Sequence, residues 1–297
     1  MSNIGVVIVT YNRLSKLKKT LECYLNQTKL PEYIIVVNNA SKDGTKEYLE
    51  EWKKESSIIK KYVINVKENT GGSGGFFIGE EKALTLDADW ILVADDDAYP
   101  HSNYIEIALK TIDENKEKEI SAICGKVIEY GDLGHRFYLN SFFNKSLLKM
   151  IPKDDYNSKY LFIDAFGYVG PIINKNKMKK VGLINKDFFI WADDLEHSLR
   201  LRKVGYIICC PKLVIEHEAD KSNYILSWKD YYGVRNNVYL FKTLFPSRFP
   251  FLLIKELLKI FIKSKSLVEI KMKLVAFKDG VLGNLGKHIK YKPGWKR

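Results

Sequence analysis

Three consecutive aspartates, Asp95, Asp96 and Asp97, follow an apolar run at residues 90–94. Adjacent carboxylates repel one another, so burying them together costs free energy unless a cation neutralises them. Oxygen ligands suit hard divalent ions such as Mg²⁺ or Mn²⁺, which also bridge diphosphates. A solvated acidic turn is the alternative, since aspartate is common in turns. The apolar strand that leads into the triplet favours the metal site.

A second acidic pair, Asp193 and Asp194, follows an aromatic run and opens a helical pattern. One of the two carboxylates is explained by helix capping alone. A carboxylate beside Phe188, Phe189 and Trp191 is partly shielded from water, which suits a general base.

His217 lies near the end of a strand-like run and is ambiguous by itself, because a lone histidine there is more often structural. If the fold brings it to the aspartate triplet, its imidazole would complete the set of metal ligands.

The glycine run at residues 71–75 follows the third apolar run of the chain. Its backbone would approach a phosphate or a sugar closely, and the N-terminus of a helix predicted at residues 75–85 would add positive potential. It matches neither the dinucleotide-binding pattern nor the P-loop, so a flexible turn is the alternative.

The first 120 residues alternate between strand-like and helix-like segments. Strands are predicted at residues 4–9, 33–37, 62–66 and 90–93, and helices at 14–27, 44–54, 75–85 and 102–114. This alternation predicts an α/β fold with a mainly parallel sheet flanked by helices. Because such sheets bind ligands at the carboxyl ends of their strands, the polar residues after each strand are expected to form one site.

Residues 121–225 are less regular, with strands predicted at 121–128 and 206–210 and a helix that ends at Arg202. We expect one catalytic domain over 1–225, in which 1–120 bind a nucleotide and 121–225 bind an acceptor.

The net charge of +12 lies entirely at the C-terminus of the 297-residue chain. Residues 1–227 hold 32 basic and 32 acidic side chains, whereas residues 228–297 hold 16 and 4. Amphipathic helices are predicted at 251–263 and 267–277, within a basic extension over 226–297. In the first helix, Leu253, Leu257, Ile260 and Phe261 would form an apolar stripe beside a row of lysines. The extension either packs on the domain with its lysines in solvent or lies on anionic lipid.

The composition excludes some classes of protein. A hydrophobic fraction of 46% is too high for general disorder, and no apolar run approaches the roughly 18 residues of a spanning helix. The N-terminus lacks the pattern of a signal peptide, and the four cysteines lack metal-ligand spacing, so we expect a reducing compartment.

Five ordered motifs and a downstream histidine resemble the nucleotide-sugar glycosyltransferases of family 2, which have the GT-A fold. These motifs are VIVTYNR, VVNNASKDGT, the glycine run, the aspartate triplet and FFIWADDLEHSLRLRKVGY, over about the first 220 residues. NTGGSGGF together with the triplet most resembles the galactofuranosyltransferases of that family, with the rhamnosyltransferases close behind.

The resemblance implies that Asp95, Asp97 and His217 hold Mn²⁺ or Mg²⁺ and that Asp194 is the catalytic base. The residues implied to bind the nucleotide are Thr10, Tyr11, Arg13, Asn39, Asn69 and Asp96, the last through the ribose or donor sugar. The residues expected to bind donor or acceptor are Gly72, Gly74, Trp191 and Asp193.

The implied reaction is an inverting transfer of galactofuranose from UDP-galactofuranose to a hydroxyl of a cell-surface polysaccharide or lipid-linked glycan. Rhamnose from dTDP-rhamnose is the second choice. Two rivals come from other classes. One is a metal-dependent nucleotidyltransferase, and the other is a nucleic-acid-binding protein. The acidic triplet argues against the second, because it would repel the phosphates of a nucleic acid. We expect the protein to be cytoplasmic and peripheral on the inner face of the cell membrane, without a nucleic-acid partner; a homo-oligomer is left open.

Overall fold

The structure is a computed structural model that describes residues 2–140, 147–219 and 225–296. Its N-terminal half consists of four strands, each followed by a helix. The strands are β1 (Ile4–Thr10), β2 (Tyr33–Asn38), β3 (Lys60–Asn65) and β4 (Trp90–Asp95). The helices are α1 (Leu14–Leu25), α2 (Thr45–Lys54), α3 (Gly71–Leu84) and α4 (Tyr104–Glu114), the last separated from β4 by the short β5 (Ala98–Pro100). These four strands pair in parallel, as predicted, and every residue of β1 and β2 is buried.

Beyond β4 the sheet is mixed, in the order β10-β13-β6-β12-β4-β1-β2-β3. The strands of this half are β6 (Ile120–Glu129), β7 (Asp132–Gly134), β8 (Arg136–Leu139), β9 (Leu148–Met150), β10 (Leu161–Ile163), β11 (Ala165–Phe166), β12 (Val169–Asn174) and β13 (Tyr206–His217). β12 runs antiparallel to both β4 and β6. A second, three-stranded sheet has the order β11-β8-β9. The helices here are α5 (Lys175–Val181) and α6 (Asp193–Arg202), with 3₁₀ turns at Lys153–Asn157 and Lys186–Phe188.

β13 is longer than the strand predicted at residues 206–210, because an irregularity between Cys210 and Val214 lets it continue to His217. Its last residues pair with β5, so that His217 lies opposite Ala98, the residue after the aspartate triplet. This pairing brings the histidine to the triplet.

α3 begins at Gly71, so the glycine run forms the first turns of a helix and not a loop before a helix at residues 75–85, as the sequence predicted. The reason is close packing on β1. A Cβ at Gly75 would lie 2.5 Å from a methyl carbon of Val9, and one at Gly79 would lie 2.3 Å from a methyl carbon of Val7. Gly72 differs, since no atom lies within 4 Å of its Cβ position.

Three helices form the C-terminal part: α7 (Trp228–Leu244), α8 (Phe249–Lys263) and α9 (Leu267–Leu282). The sequence predicted the last two with no difference at the end of α8 and at the start of α9, and with differences of two and five residues at the other ends; it missed α7. On α8 the predicted apolar stripe is divided, because Ile260 is buried and Phe261 is exposed. Among the described residues, no helix combines the length and the apolar composition needed to cross a bilayer.

Candidate active site

The fold brings Asp95, Asp97 and His217 together, as predicted. One ligating atom from each lies within 4.8 Å of the others. Nε2 of His217 is 3.3 Å from Oδ1 of Asp97. That buried Oδ1 has no hydrogen-bond partner among the described residues, and an uncompensated buried carboxylate oxygen is costly. The carboxylates of Asp95 and Asp97 and the imidazole of His217 are ligands that fit a divalent cation.

The charges of this cluster are strongly coupled. Burial, and then repulsion from Asp97 and Asp96, raises the pKa of Asp95 well above its usual value. Burial alone would lower the pKa of His217, but the neighbouring carboxylates of Asp97 and Glu129 raise it to about 9. The imidazolium therefore neutralises the carboxylates, and a metal that binds Nε2 must release its proton.

Asp96 joins the loop after β1 to the end of β4. It is 2% exposed and accepts hydrogen bonds from the Thr10 hydroxyl at 2.7 Å and from Arg13 at 3.3 Å. Arg13 also contacts Asp97 at 2.7 Å. Tyr11, in contrast, is 40% exposed beside the site. The implied contacts of these residues with a nucleotide stay predictions.

Asn39 joins the loops after β2 and β3. Its amide donates to the Gly71 carbonyl at 2.8 Å and to Asn69 at 3.3 Å, and its side-chain oxygen accepts from the Thr70 backbone at 2.9 Å. Asn69 in turn accepts from the Gly71 backbone at 2.8 Å. Both asparagines therefore fix the start of α3, and their implied nucleotide contact stays a prediction. The Cβ position of Gly74 is 2.6 Å from Cβ of Thr70, whereas the open side of Gly72 leaves room for a ligand.

The loop that leads into α6 is strained. Phe189, Trp191 and Ala192 have φ angles of 67°, 68° and 63°, a region that side-chain-bearing residues avoid and that clusters at functional sites. Trp191 is 48% exposed, next to the open rim of the site. We refer to residues 188–192 as the aromatic loop.

The aromatic loop is held by two buried residues of α7 that the sequence analysis missed. Asn236 donates to the carbonyl oxygens of Phe188, Ile190 and Trp191 at 2.8 to 3.0 Å. Arg235 donates to Phe188 at 2.9 Å. The available signal was an Arg-Asn-Asn run amid aromatic residues, which a solvated helix would not require. α7 therefore contributes to the site, although the sequence analysis places it in the extension.

The acidic pair begins α6 directly after this loop. Asp193 accepts a hydrogen bond from Ser73 at 2.7 Å, which ties it to α3. Burial, and then the charge of Asp193, raises the pKa of Asp194 to about 7. A carboxylate that ionises near neutral pH is suited to general-base chemistry.

Glu129 and His135 complete the site, and no spacing in the sequence pointed to them. Oε2 of Glu129 accepts from Nδ1 of His217 at 3.0 Å and from Nε2 of His135 at 2.6 Å. Because the Glu129 carboxylate accepts a hydrogen bond from Nδ1 of His217, Nε2 of that histidine is turned toward the aspartates. This is the usual arrangement around a metal-binding histidine.

The mixed sheet flanked by helices, with acidic residues at one edge, has the arrangement of the GT-A fold. Residues 5–173 match the family described as glycosyl transferase family 2, and the chain therefore belongs to that family.

Relatives and solved structures agree with this placement. The chain is 35% identical over 97 residues to galactofuranosyltransferase GlfT1 of Mycolicibacterium smegmatis, covering 33% of this chain and 30% of that one. It is 25% identical over 245 residues to dTDP-rhamnosyl transferase RfbF of Shigella flexneri, covering 79% and 78%. The crystal structure of GalNAc-T7 with UDP, GalNAc and Mn²⁺ has the same fold, with a TM-score of 0.68 at 17% identity, over 95% of this chain and 56% of that one.

Proposed function

We propose that this protein is an inverting, metal-dependent glycosyltransferase that moves a sugar from a nucleotide-sugar donor to a hydroxyl of a glycan. One observation carries the proposal. A continuous series of contacts runs from Asp97 through His217 and Glu129 to His135, which borders the same gap as Asp194. This series supports the assignment of the proposed metal ligands and the proposed base to one site.

Each part of the site has a task in such a transfer. Asp95, Asp97 and His217 would hold the cation, which when bound stabilises negative charge on the departing diphosphate. Asp194 would take the proton from an acceptor hydroxyl. The freed oxygen forms its bond to the anomeric carbon on the face opposite the breaking bond to the diphosphate, so the configuration inverts in one displacement.

Galactofuranose from UDP-galactofuranose is the donor we propose, supported by the 35% identity to GlfT1. Because the chain spans only 30% of the length of that relative, its whole activity does not transfer directly. The similarity to RfbF is weaker in identity and longer in extent, which favours dTDP-rhamnose as the second donor. A thermal-shift panel of UDP- and dTDP-sugars with Mn²⁺ decides between them, since only the true donor should raise the unfolding temperature strongly.

The reaction class is tested by incubating the protein with the donor and Mn²⁺ in the absence of acceptor. Slow release of UDP or dTDP supports glycosyl transfer to water. Release of pyrophosphate or of a sugar phosphate would instead identify a nucleotidyltransferase. The membership of family 2 gives this rival, and the nucleic-acid-binding alternative, no support.

We further propose that α8 places the enzyme on the anionic inner face of the cell membrane, where it would reach a lipid-linked acceptor. Phe251, Ile254, Leu258 and Phe261 recur every three or four residues and are all exposed. Lys259 and Lys263 lie exposed on the same helix. An exposed apolar face flanked by lysines is the pattern of a helix that lies in the headgroup region.

Co-sedimentation tests this surface. The protein should bind vesicles that contain phosphatidylglycerol more strongly than vesicles of phosphatidylcholine alone. Replacing Ile254 and Leu258 by serine should reduce the binding, whereas Ile58→Ser, at an exposed isoleucine before β3, serves as the control. Equal binding by the double variant and the wild type would refute the proposal.

A further inference from the structure

His135 lies between the metal-ligand set and the base, and the reaction described above gives it no task. Its backbone has a φ of 63°, so the chain holds this residue in an unfavourable conformation. Nε2 donates to Glu129, and Nδ1 forms no hydrogen bond to any part of the chain that the structure describes. The side chain is 28% exposed, so the imidazole is not sealed inside the fold.

The position of His135 is fixed by the buried guanidinium of Arg136. That group donates to the carbonyl oxygens of His135 at 3.0 Å and of Gly167 at 3.2 Å, and also to Gly125 and Val169. The Gly167 backbone donates to the His135 carbonyl at 2.8 Å. Because both backbones are held by the same group, the imidazole has a defined place relative to Gly167.

Gly167 leaves a gap between His135 and Asp194. A Cβ at Gly167 would lie 3.1 Å from Nδ1 of His135 and 3.3 Å from Oδ2 of Asp194. Both contacts are tighter than ordinary van der Waals contact, so any side chain here would crowd the two polar atoms. With glycine in place, the imidazole nitrogen and the carboxylate border the same space.

We propose that His135 is an acceptor-binding residue, whose Nδ1 hydrogen-bonds a hydroxyl of the acceptor sugar beside the hydroxyl that Asp194 deprotonates. The proposal rests on the glycosyl transfer proposed above. A sugar hydroxyl both donates and accepts, so it pairs with Nδ1 in either protonation state of the ring. The acceptor class that fits is a sugar with a second hydroxyl next to the one that attacks.

Two substitutions separate this role from a structural one. In His135→Gln the amide reaches the place of Nε2 and keeps the contact with Glu129, but nothing occupies the place of Nδ1. In His135→Asn the amide lies at the place of Nδ1 and the contact with Glu129 is lost. Asparagine also tolerates a φ of 63° better than most residues.

The experiment measures binding of octyl galactofuranoside and octyl rhamnoside, as probes, by calorimetry with UDP and Mn²⁺ present. Transfer kinetics are followed in parallel where a probe is used as acceptor. His135→Gln should raise the Kd and the KM for the probe about tenfold, the effect of one lost hydrogen bond. His135→Asn should bind like the wild type. Gly167→Ala keeps His135 but closes the gap, so it should weaken binding of the probe as His135→Gln does. Affinity for Mn²⁺ should stay unchanged in His135→Gln, because this variant keeps the contact with Glu129.

Probe binding by His135→Gln and Gly167→Ala equal to that of the wild type would overturn the proposal. Weaker probe binding in His135→Asn alone, together with weaker Mn²⁺ binding, would also overturn the proposal and show that His135 serves only to hold Glu129. Failure of the wild type to release UDP from any donor would refute the proposed function, and the calorimetric comparison would still decide the role of His135.

Discussion

Replacement of Asp194 by asparagine should remove activity and increase stability at the same time. The amide keeps the shape of the carboxyl group but neither takes a proton nor carries a charge. Loss of a general base typically lowers the rate by about 10² to 10⁴-fold. In the wild type, a base with a pKa of about 7 is ionised in only about one molecule in ten at pH 6. Transfer should therefore fall about tenfold between pH 8 and pH 6.

The stability effect follows from the same pKa. The pKa of this carboxyl is about 3.8 in an unfolded chain and about 7 in the fold, a difference that corresponds to at most about 4 kcal/mol. Since the pKa is raised in the fold, the contribution of this carboxyl to stability is fully present below pH 4 and is lost as the pH rises through 7. The asparagine variant lacks this loss, so it should unfold at a higher temperature than the wild type at pH 8 and at nearly the same temperature at pH 4.

Two assays on the same preparations check this reasoning. Release of UDP with an acceptor present measures transfer, and thermal unfolding in EDTA measures stability without metal. Binding of UDP and Mn²⁺ should be nearly unchanged, because Asp194 is not among the predicted ligands. Transfer within a factor of ten of the wild type would refute the base, and an unchanged unfolding temperature at pH 8 would refute the raised pKa.

Three further variants test other parts of the site. Asp97→Ala removes the carboxylate that faces Nε2 of His217 and should abolish the dependence of UDP binding on Mn²⁺; a dependence on Mn²⁺ equal to that of the wild type would contradict the ligand set. Asn236→Ala leaves three carbonyl oxygens of the aromatic loop without this donor and should cost about 1–3 kcal/mol or more in unfolding, with Asn237→Ala as the neighbouring control. Gly75→Ala forces a methyl group against Val9 and should cost about 1–3 kcal/mol, whereas Gly72→Ala, where the space is open, should not destabilise. Similar unfolding free energies for the two glycine variants would refute close packing of α3 on β1.

The regular half of the fold was predictable because its signals are local. Each of β1 to β4 is an apolar run ended by polar residues, and parallel pairing follows from the helices between the strands. The same logic placed the aspartate triplet at the edge where the strands end, whereas the place of His217 beside it was implied only by the family resemblance. The start of α3 was wrong because a glycine run was interpreted as a loop, although its glycines serve the approach of helix to strand.

The rest of the site depends on contacts between distant parts of the chain. Arg235 and Asn236 bind carbonyl oxygens more than 40 residues away. Because every residue has a backbone carbonyl, the sequence does not show which of them will accept these hydrogen bonds. Glu129 and His135 are six residues apart across the turn between β6 and β7, and only the pairing of β13 with β6 brings His217 to them. Such residues are found only once the topology is known.

The attachment of the aromatic loop to α7 and to the chain after α9 also bears on the order in which the protein matures. Arg235 reaches the Gly286 carbonyl at 2.5 Å, and the Gly286 backbone donates to Asp187 at 2.6 Å. During synthesis, residues 1–217 would emerge from the ribosome with the proposed metal ligands and the proposed base already present, yet without the residues of α7 that hold the aromatic loop beside them. The segments translated after residue 217 are then the ones that hold the aromatic loop, so a ribosome that stops early releases a chain in which the acidic residues and His217 are present but the loop beside them is not held.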